Sequence, residues 1–380
     1  MTTYLLHDNA LRSFELRHEI GEPVGDSVAF IEHDGKRILV GSDLEAATFS
    51  SREDVVDEYW TFSSLGIEEL VRDEAFPRDL LETELTLRAL KKLSVSSVVV
   101  PPTFQLHSAD HLRANGVEVV VNTDVWVERR RRKTPWEIEG LERAQRAVET
   151  AMLTAARMLR EAEPTSGDRL RYEGEILTSE WIRESMSAAL LSQGAESEEI
   201  LVQSGDACLD GHLLGSGPIA PDRSVLIDCF PRDRRTGVYT DMTRTFVAGQ
   251  ASEDLKSLHK HVRTALELAF ESIKPGEPGP HNTVSEYFHS QGFGTQAHHT
   301  GEGAVKEGFT HALGHGVGLE VHERPYLGRR ADVLQEGDVV AVEPGLYVRG
   351  IGGVRLEDTI LVTDKGVEHI TDPFPYDLEP

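Results

Sequence analysis

Carboxylates placed within or directly after apolar, strand-like runs are the feature that most constrains this chain. Asp228 follows the run at residues 225–227, and Glu343 follows the run at residues 339–342. Glu357 lies in a further stretch of apolar and β-branched residues. Such runs predict buried strands. Because burying an unpaired carboxylate costs several kcal/mol, these side chains need a shared positive partner.

Two further residues complete a pattern of metal ligands. Asp241 lies in a second strand-like run, and His315 is flanked by glycines. These two and the three carboxylates above form a hard, oxygen-rich set that can hold two divalent cations when two carboxylates bridge them. Such a pair lowers the pKa of a bound water and makes hydroxide available near neutral pH. The pattern predicts a two-metal hydrolase, with a salt-bridged structural core as the alternative.

Four segments in this order resemble those of the pita-bread metallopeptidases, which include methionine aminopeptidases, Xaa-Pro aminopeptidases and prolidases. The segments are DCFPRDRRTGVYTDMTRT at 228–245, HALGHGVGLEVHE at 311–323, VEPGLY at 342–347 and GIGGVRLEDT at 350–359. The resemblance implies two divalent metal ions, with manganese favoured and cobalt, zinc or iron as alternatives. It also implies a ligand arrangement in which Asp228 holds the first metal, Asp241 and Glu357 bridge, and His315 and Glu343 complete the second.

The resemblance also implies residues that act on the substrate. It gives catalytic roles to His212, His322 and Glu343. The two imidazoles would stabilise an oxyanion or protonate the leaving amine, and Glu343 would shuttle the proton. It gives substrate-binding roles to His311, Tyr347 and Arg355.

The N-terminal part of the chain selects a branch of this family. Methionine aminopeptidases usually lack an N-terminal domain of about 125 residues, so the resemblance implies an Xaa-Pro aminopeptidase acting on small peptides. An Xaa-Pro dipeptidase (prolidase) is the alternative. A metal-free creatinase-like hydrolase and a non-catalytic peptide-binding module are weaker alternatives, because both would be expected to lose metal ligands. In the family the small domain covers a neighbouring active site, which implies a homodimer.

The predicted fold class is α/β (α+β), with an N-terminal creatinase-like α/β domain at residues 1–128 and a pita-bread catalytic domain at residues 129–380. The Asp34-Gly35 pair predicts a hairpin turn. Thr134 and Pro135 predict the start of a long helix that ends near Leu159. Further helices are predicted at residues 77–93, 174–191 and 252–273.

Two polar segments are interpreted as exposed. The interval between Asp228 and Asp241 is longer than is common in the family, and we assign the extra length to a hairpin tip at residues 232–236 that tolerates insertion. The basic run at residues 128–133 is interpreted as a solvated linker or an interdomain pairing strip.

Composition restricts partners and location. The formal net charge is −26, and only nine of the 39 basic residues are lysines. This balance favours a salt-adapted source over an ordinary acidic protein, because concentrated salt screens the self-repulsion. The acidic surface argues against nucleic-acid binding. Since no apolar run approaches 18 residues and the N-terminus lacks a signal-peptide pattern, we expect no membrane association and a cytoplasmic location.

Overall fold

The computed structural model describes residues 2–49 and 52–380. Its chain divides into two compact units, Met1–Arg130 and Arg131–Pro380. The predicted domain border between residues 128 and 129 lies two residues before this division. None of the helices in the described ranges is both long and apolar enough to cross a lipid bilayer.

The first unit is a six-stranded mixed sheet with helices, in the spatial order β4-β3-β2-β1-β5-β6. The pairs β3–β4, β1–β5 and β5–β6 are parallel, and the other neighbours are antiparallel. Its strands are β1 (Tyr4–Asp8), β2 (Val28–His33), β3 (Lys36–Gly41), β4 (Glu58–Thr61), β5 (Ser97–Val100) and β6 (Glu118–Val121). Its helices are α1 (Phe14–Ile20), α2 (Ala46–Phe49), α3 (Ile67–Arg72), α4 (Leu81–Lys92), α5 (Leu106–Ala114) and α6 (Thr123–Arg131), the last ending one residue beyond the unit.

The hairpin predicted at Asp34-Gly35 is confirmed. Strands β2 and β3 pair from His33 and Lys36 outward, which leaves a two-residue loop. Asp34 has a φ of 53° and Gly35 a φ of 75°, the two positive values that a tight turn matching the strand twist requires. The helix predicted at residues 77–93 is shorter than expected. A 3₁₀ turn at Arg78–Leu80 precedes it, because Leu80 N donates to Pro77 O at 3.1 Å and closes a tight turn first.

The second unit contains four α-helices, and the longest begins as predicted. Thr134 caps α7 in a reciprocal capping box with Glu137, and Pro135 occupies its first turn. The helix ends at Glu161, and its apolar face is buried against a core that includes Ile182 and Phe246. The helices are α7 (Pro135–Glu161), α8 (Ser179–Ser192), α9 (Glu253–Ser272) and α10 (His281–Ser290).

Helix α8 begins later than the predicted start at Gly174. Glu175–Ile176 pairs with Leu170–Tyr172 as an antiparallel strand, which uses the backbone groups that a helix would need. Thr178 then caps the helix by accepting a hydrogen bond from Trp181 N at 3.2 Å. The predicted helix at residues 252–273 is confirmed, with Ser252 as its N-cap.

An eight-stranded antiparallel sheet forms the centre of the second unit. Its order is β11-β12-β14-β20-β17-β15-β16, with β21 also paired to β20. These strands are β11 (Ile200–Ser204), β12 (Ser224–Cys229), β14 (Met242–Val247), β15 (Gly314–Gly316), β16 (Glu323–Tyr326), β17 (Val339–Val342), β20 (Glu357–Thr363) and β21 (Gly366–His369). Smaller sheets contain β7 (Glu163–Pro164), β8 (Leu170–Tyr172), β9 (Glu175–Ile176), β10 (Ala195–Glu196), β13 (Arg232–Asp233), β18 (Gly345–Val348) and β19 (Gly352–Arg355). A 3₁₀ turn spans Gly205–Leu209.

The hairpin tip predicted at residues 232–236 is exposed at Arg234 and Arg235 only. Asp233 and Thr236 are buried, and Asp233 forms an ion pair with Arg143 of α7 at 3.0 Å. Thr236 donates both its amide and its hydroxyl to Asp233 Oδ2. This segment is therefore anchored against α7, and Gly140 of that helix leaves room for the Thr236 side chain.

The interpretation of residues 128–133 as a solvated linker is wrong for its last part. Arg131 donates to both carboxylate oxygens of Asp338, at 2.8 and 2.6 Å, and to Val333 O at 2.8 Å. Lys133 forms a buried ion pair with Glu323. Both carboxylates are buried in the second unit, so each needs a cationic partner there.

We predict that Asp338→Asn lowers the free energy of unfolding by about 3–5 kcal/mol, because it removes the negative charge from a buried, hydrogen-bonded ion pair. Urea unfolding followed by circular dichroism measures the change. The control is Glu267→Gln, which removes the exposed ion pair of α9 with Arg263 and should change the same quantity by about 0.5 kcal/mol at most. Equal stability of the two variants would contradict the assignment.

Candidate metal centre

Strand pairing brings three of the predicted ligands to one place. Asp228 of β12 lies opposite Thr243 of β14, and Thr243 lies opposite Glu357 of β20. Directly opposed residues project from the same face with about 5 Å between their Cβ atoms. Asp241 lies immediately before β14, one residue outside the strand that was expected to carry it. The sheet order thus collects carboxylates that lie far apart in sequence.

The remaining two predicted ligands come from a neighbouring strand pair. His315 of β15 lies opposite Ala341 of β17, and Glu343 follows the last residue of β17. A side chain at Gly314 would overlap with the carbonyl oxygen of Ala341, and one at Gly316 would collide with the backbone of Arg324. Glycine on both sides therefore lets β15 pack closely and directs His315 toward the carboxylates.

All ten predicted site residues line one cavity of about 860 Å³ in the second unit. Asp241, His315 and Glu357 form its centre, where one ligand atom from each lies within 4.8 Å of the others. These three are buried. The lining residues of the prediction are His212, Asp228, Asp241, His311, His315, His322, Glu343, Tyr347, Arg355 and Glu357.

The hydrogen bonds of His315 show which ring nitrogen is available as a ligand. Its Nδ1 lies 3.1 Å from Gly316 O, and since a carbonyl oxygen only accepts, Nδ1 carries the proton. Burial lowers the pKa of His315 to about 3, with a further contribution from His322, so the ring is neutral. Its Nε2 lone pair faces Asp241 Oδ2 at 3.8 Å and Glu343 Oε1 at 3.9 Å. A lone pair facing carboxylate oxygens is repulsive unless a cation lies between them.

The carboxylates of the centre also require a nearby cation. Burial raises the pKa of Asp241 well above its usual value, with repulsion from Glu357 and Asp228 adding to the rise. Burial likewise raises the pKa of Glu357, with repulsion from Glu343 and Asp228. Among the described residues, Oδ1 of Asp228 and Oδ1 of Asp241 are buried without a hydrogen-bond partner. This donor set fits divalent cations, which would replace protons on the carboxylates and bind the unpartnered oxygens.

Glu343 lies between the cluster and a cationic group. Burial raises the pKa of Glu343 to about 7, while Arg355 opposes the rise and Asp228 adds to it. Its Oε2 lies 3.9 Å from Arg355 Nε and 3.7 Å from His311 Nδ1. Its other oxygen, Oε1, lies 3.9 Å from His315 Nε2. The carboxylate therefore lies between a candidate ligand and the side chains of Arg355 and His311.

Arg355 is more closely tied to the cluster than the sequence indicated. Its Nη2 donates to Asp228 Oδ2 at 2.5 Å, and its Nε donates to Thr243 Oγ1 at 3.1 Å. Thr243 Oγ1 donates in turn to Glu357 Oε2 at 2.6 Å. One buried guanidinium thus offsets part of the negative charge at the end of the cavity where Asp228 and Glu357 lie.

A chain of hydrogen bonds continues from Arg355 to the opposite wall. Arg355 Nη1 donates to Tyr347 Oη at 3.1 Å, so the phenol is free to donate to His311 Nε2 at 2.9 Å. His311 Nδ1 then donates to Ala312 O at 2.7 Å. Burial, followed by Arg355, lowers the pKa of His311 to about 3, and burial raises that of Tyr347 to about 12. Both groups are neutral near pH 7, and their donor and acceptor roles are fixed.

His212 and His322 are the exposed histidines of the cavity wall. The His322 ring lies 4.2 Å from that of His315, at an interplanar angle of 74°. Partial burial lowers the pKa of His322, with Asp228 opposing and His212 adding to the change. Both imidazoles are placed where a bound molecule can reach them.

Two threonines belong to the centre that the sequence reasoning did not include. Thr243 connects Arg355 to Glu357, as described above. Thr359 Oγ1 donates to Asp241 O at 2.9 Å and accepts from Asp241 N at 3.0 Å. Each threonine lies two positions after a carboxylate, and this spacing is the signal that could have found them, because residues i and i+2 of a strand share a face.

We predict that Asp241→Asn and Glu357→Gln each lower the affinity of the metal-free protein for Mn²⁺ by at least about 100-fold, because each removes a buried anionic ligand. Isothermal titration calorimetry measures the affinity. Glu199→Gln is the matched control, since Glu199 lines the same cavity outside the cluster and should not alter binding. Unchanged affinity in both ligand variants would contradict the assignment.

Comparisons with known proteins show the family to which the chain belongs. Residues 139–364 match metallopeptidase family M24. A segment of 139 residues is 42% identical to the Xaa-Pro dipeptidase of Pyrococcus horikoshii, and one of 135 residues is 37% identical to that of Pyrococcus furiosus. Each segment covers 35% of this chain and 35% of the length of that curated relative.

Solved structures match over nearly the whole chain. The X-Pro aminopeptidase of Thermotoga maritima has a TM-score of 0.76 at 20% identity, covering 99% of this chain and 97% of the other. The prolidase of Pyrococcus horikoshii has a TM-score of 0.70 at 24% identity, covering 100% and 95%. These likenesses confirm the predicted mixed α/β pita-bread fold with a smaller N-terminal domain. Since the family match covers more than half of its residues, the chain belongs to metallopeptidase family M24.

Proposed function

We propose that this protein hydrolyses the peptide bond before proline at the N-terminus of small peptides, as a divalent-metal-dependent Xaa-Pro aminopeptidase. The observation that carries the proposal is the cavity in which a buried carboxylate–histidine cluster meets a wall of further histidines and a tyrosine. Proline specificity draws on the names of the relatives and structural neighbours, which are Xaa-Pro dipeptidases, prolidases and an X-Pro aminopeptidase.

The ligand roles follow the resemblance and the contacts together. Asp228, Asp241, His315, Glu343 and Glu357 would hold two divalent ions, with Asp241 and Glu357 between them. When bound, the ions would supply Lewis-acid activation of water and of the scissile carbonyl. We propose manganese as the ion, since an oxygen-rich set with a single imidazole suits it, and cobalt, iron or zinc would also fit.

We assign the proton transfer and the stabilisation of the oxyanion to different residues of the cavity wall. Glu343 accepts a proton from the attacking water and returns it to the nitrogen of the departing amine. Glu343 lies between the ligand cluster and the pair His311 and Arg355, and from this position it would reach both the water and the departing amine. His322 and His212 are exposed to the cavity, and they donate hydrogen bonds to the developing oxyanion or to the leaving group.

We assign the orientation of the substrate to the hydrogen-bonded side chains of the cavity wall. His311, Tyr347 and Arg355 are mutually connected, so each is held in one orientation before substrate arrives. We propose that this wall contacts the proline side of the substrate. Because Arg355 also binds Asp228, its contact with the substrate is coupled to the position of a ligand. Preorganised polar groups of this kind favour one substrate pose.

The alternative activity is that of an Xaa-Pro dipeptidase. The sequence relatives carry that name, and it uses the same ligands and wall. The proposed homodimer would set the substrate length that separates the two activities, because a neighbouring small domain would cover this cavity of about 860 Å³. A metal-free hydrolase or a non-catalytic binding module is less well supported, since neither accounts for the unpartnered buried carboxylate oxygens.

Four further properties remain proposals drawn from the sequence. A homodimer would limit substrate length by covering the cavity with a neighbouring small domain. A salt-adapted source follows from the charge of −26 with few lysines. A cytoplasmic location and the absence of nucleic-acid partners follow from composition.

We predict that the protein pretreated with a chelator and supplied with Mn²⁺ or Co²⁺ releases alanine from Ala-Pro-Ala, and that chelation abolishes this activity. Chromatography of the products measures turnover. Cleavage of Ala-Pro without cleavage of Ala-Pro-Ala would assign the dipeptidase instead. Preferential cleavage of Met-Ala-Ala, or no metal-dependent hydrolysis of the three peptides, would contradict the proposal.

His322→Ala should lower turnover by about 10²- to 10⁴-fold while leaving metal content nearly unchanged, because the proposed role is proton transfer rather than coordination. Atomic emission of the purified variant measures the metal, and steady-state assays measure turnover. His299→Ala, at an exposed position outside the cavity lining, is the control and should retain both. Loss of metal from the His322 variant would show that the histidine roles are misassigned.

A further inference from the structure

A fully buried arginine lies behind the candidate metal centre. Arg244 is adjacent to Thr243 in β14, so its side chain points to the face opposite the cluster. It is 1% exposed. Its Nη1 donates to the main-chain carbonyls of Thr243, at 2.9 Å, and Glu357, at 2.7 Å. The guanidinium therefore holds the backbone of a candidate bridging ligand from behind.

The two strands beside the candidate bridging ligands share few backbone pairs, and side-chain hydrogen bonds supplement them. Among the described residues, β14 and β20 pair at two positions, Met242 with Asp358 and Thr243 with Glu357. By contrast, β12 and β14 pair at six positions. A small displacement of β20 along β14 would move Glu357 relative to Asp241. The bonds from Arg244 to both strands oppose that displacement.

Residues 374–378, here called the C-terminal segment, accept further hydrogen bonds from Arg244. Arg244 Nε donates to Pro375 O at 2.9 Å, and Nη2 donates to Phe374 O at 3.1 Å. Val247 N, near the end of the same strand, donates to Leu378 O at 2.8 Å. The C-terminal segment thus lies beside β14 and accepts hydrogen bonds from the Arg244 side chain and the Val247 amide.

A buried carboxylate joins these parts. Arg244 Nη2 forms an ion pair with Asp358 Oδ1 at 2.7 Å, and the Tyr376 hydroxyl donates to Asp358 Oδ2. The Tyr376 ring lies 4.4 Å from the Arg244 guanidinium and 3.6 Å from that of Arg263 on α9. Asp358 directly follows Glu357, so its position fixes that of the candidate ligand.

We infer that Arg244, Asp358 and Tyr376 are positioning residues of the metal centre, and that the C-terminal segment is a working part of it. The inference rests on the proposed function. The three side chains touch neither substrate nor ligand side chains, and they act by fixing the β14–β20 register. Partners of this kind typically change metal affinity or activity by 10- to 100-fold when removed.

The test is the affinity of metal-free Tyr376→Phe for Mn²⁺, measured by calorimetry alongside thermal unfolding. The variant removes one hydroxyl from Asp358 and should bind Mn²⁺ about 10-fold more weakly. Tyr287→Phe is the matched control. Its hydroxyl hydrogen-bonds to His261 Nδ1 at 3.0 Å, and this partner lies on α9 of the same unit, not on β14 or β20. Tyr287→Phe should keep the wild-type affinity for Mn²⁺, even when its melting temperature falls by as much as that of Tyr376→Phe.

A second variant, Asp358→Asn, removes the charge that Arg244 and Tyr376 share and should weaken Mn²⁺ binding by about 100-fold. Turnover at saturating Mn²⁺ should fall in both variants while KM changes little. Wild-type affinity in Tyr376→Phe, or an equal loss in Tyr287→Phe, would overturn the inference whether or not Asp358→Asn folds. Failure of the wild-type protein to bind Mn²⁺ would instead refute the proposed function, which separates the two outcomes.

Discussion

The concentration of negative charge inside the second unit is the constraint on which the rest of the structure depends. Asp241 and Glu357 are almost fully buried and repel one another, so burial raises the pKa of both carboxyl groups. Arg355 offsets part of this charge through Asp228. The neutral ring of His315 adds a lone pair rather than a proton. Divalent cations are the partners that would satisfy all of these groups together.

Antiparallel pairing supplies the geometry that this charge requires. The five candidate ligands lie in or directly beside five strands of one sheet, and each strand contributes its ligand at or near an end. Short strands with close packing make this arrangement compact, as the glycines beside His315 show. A sheet of this kind holds acidic groups at fixed separations, which a loop-based cluster would lose by relaxing outward.

The sequence indicated the centre better than its surroundings, for a physical reason. A carboxylate after an apolar run, as at Asp228 or Glu343, is a local conflict visible in the sequence. The start of α8 depended on a strand pairing before Thr178, and the burial of Asp233 depended on Arg143 of a distant helix. Arg131 resembled a linker residue because its partner, 207 residues away, is not visible in a local pattern. Tertiary partners decide such cases, and periodicity does not report them.

Two buried arginines, Arg355 at the end of β19 and Arg244 in β14, explain why the motifs extend beyond the ligands. Arg355 faces the cavity, where its charge opposes that of Asp228 and Glu343. Arg244 lies in β14 and donates hydrogen bonds to the backbone of Glu357 and the side chain of Asp358. The first guanidinium acts on the charge of the cluster and the second on its position. Buried carboxylates need both, because a cation site selects its ion by the placement of its oxygens as much as by their charge.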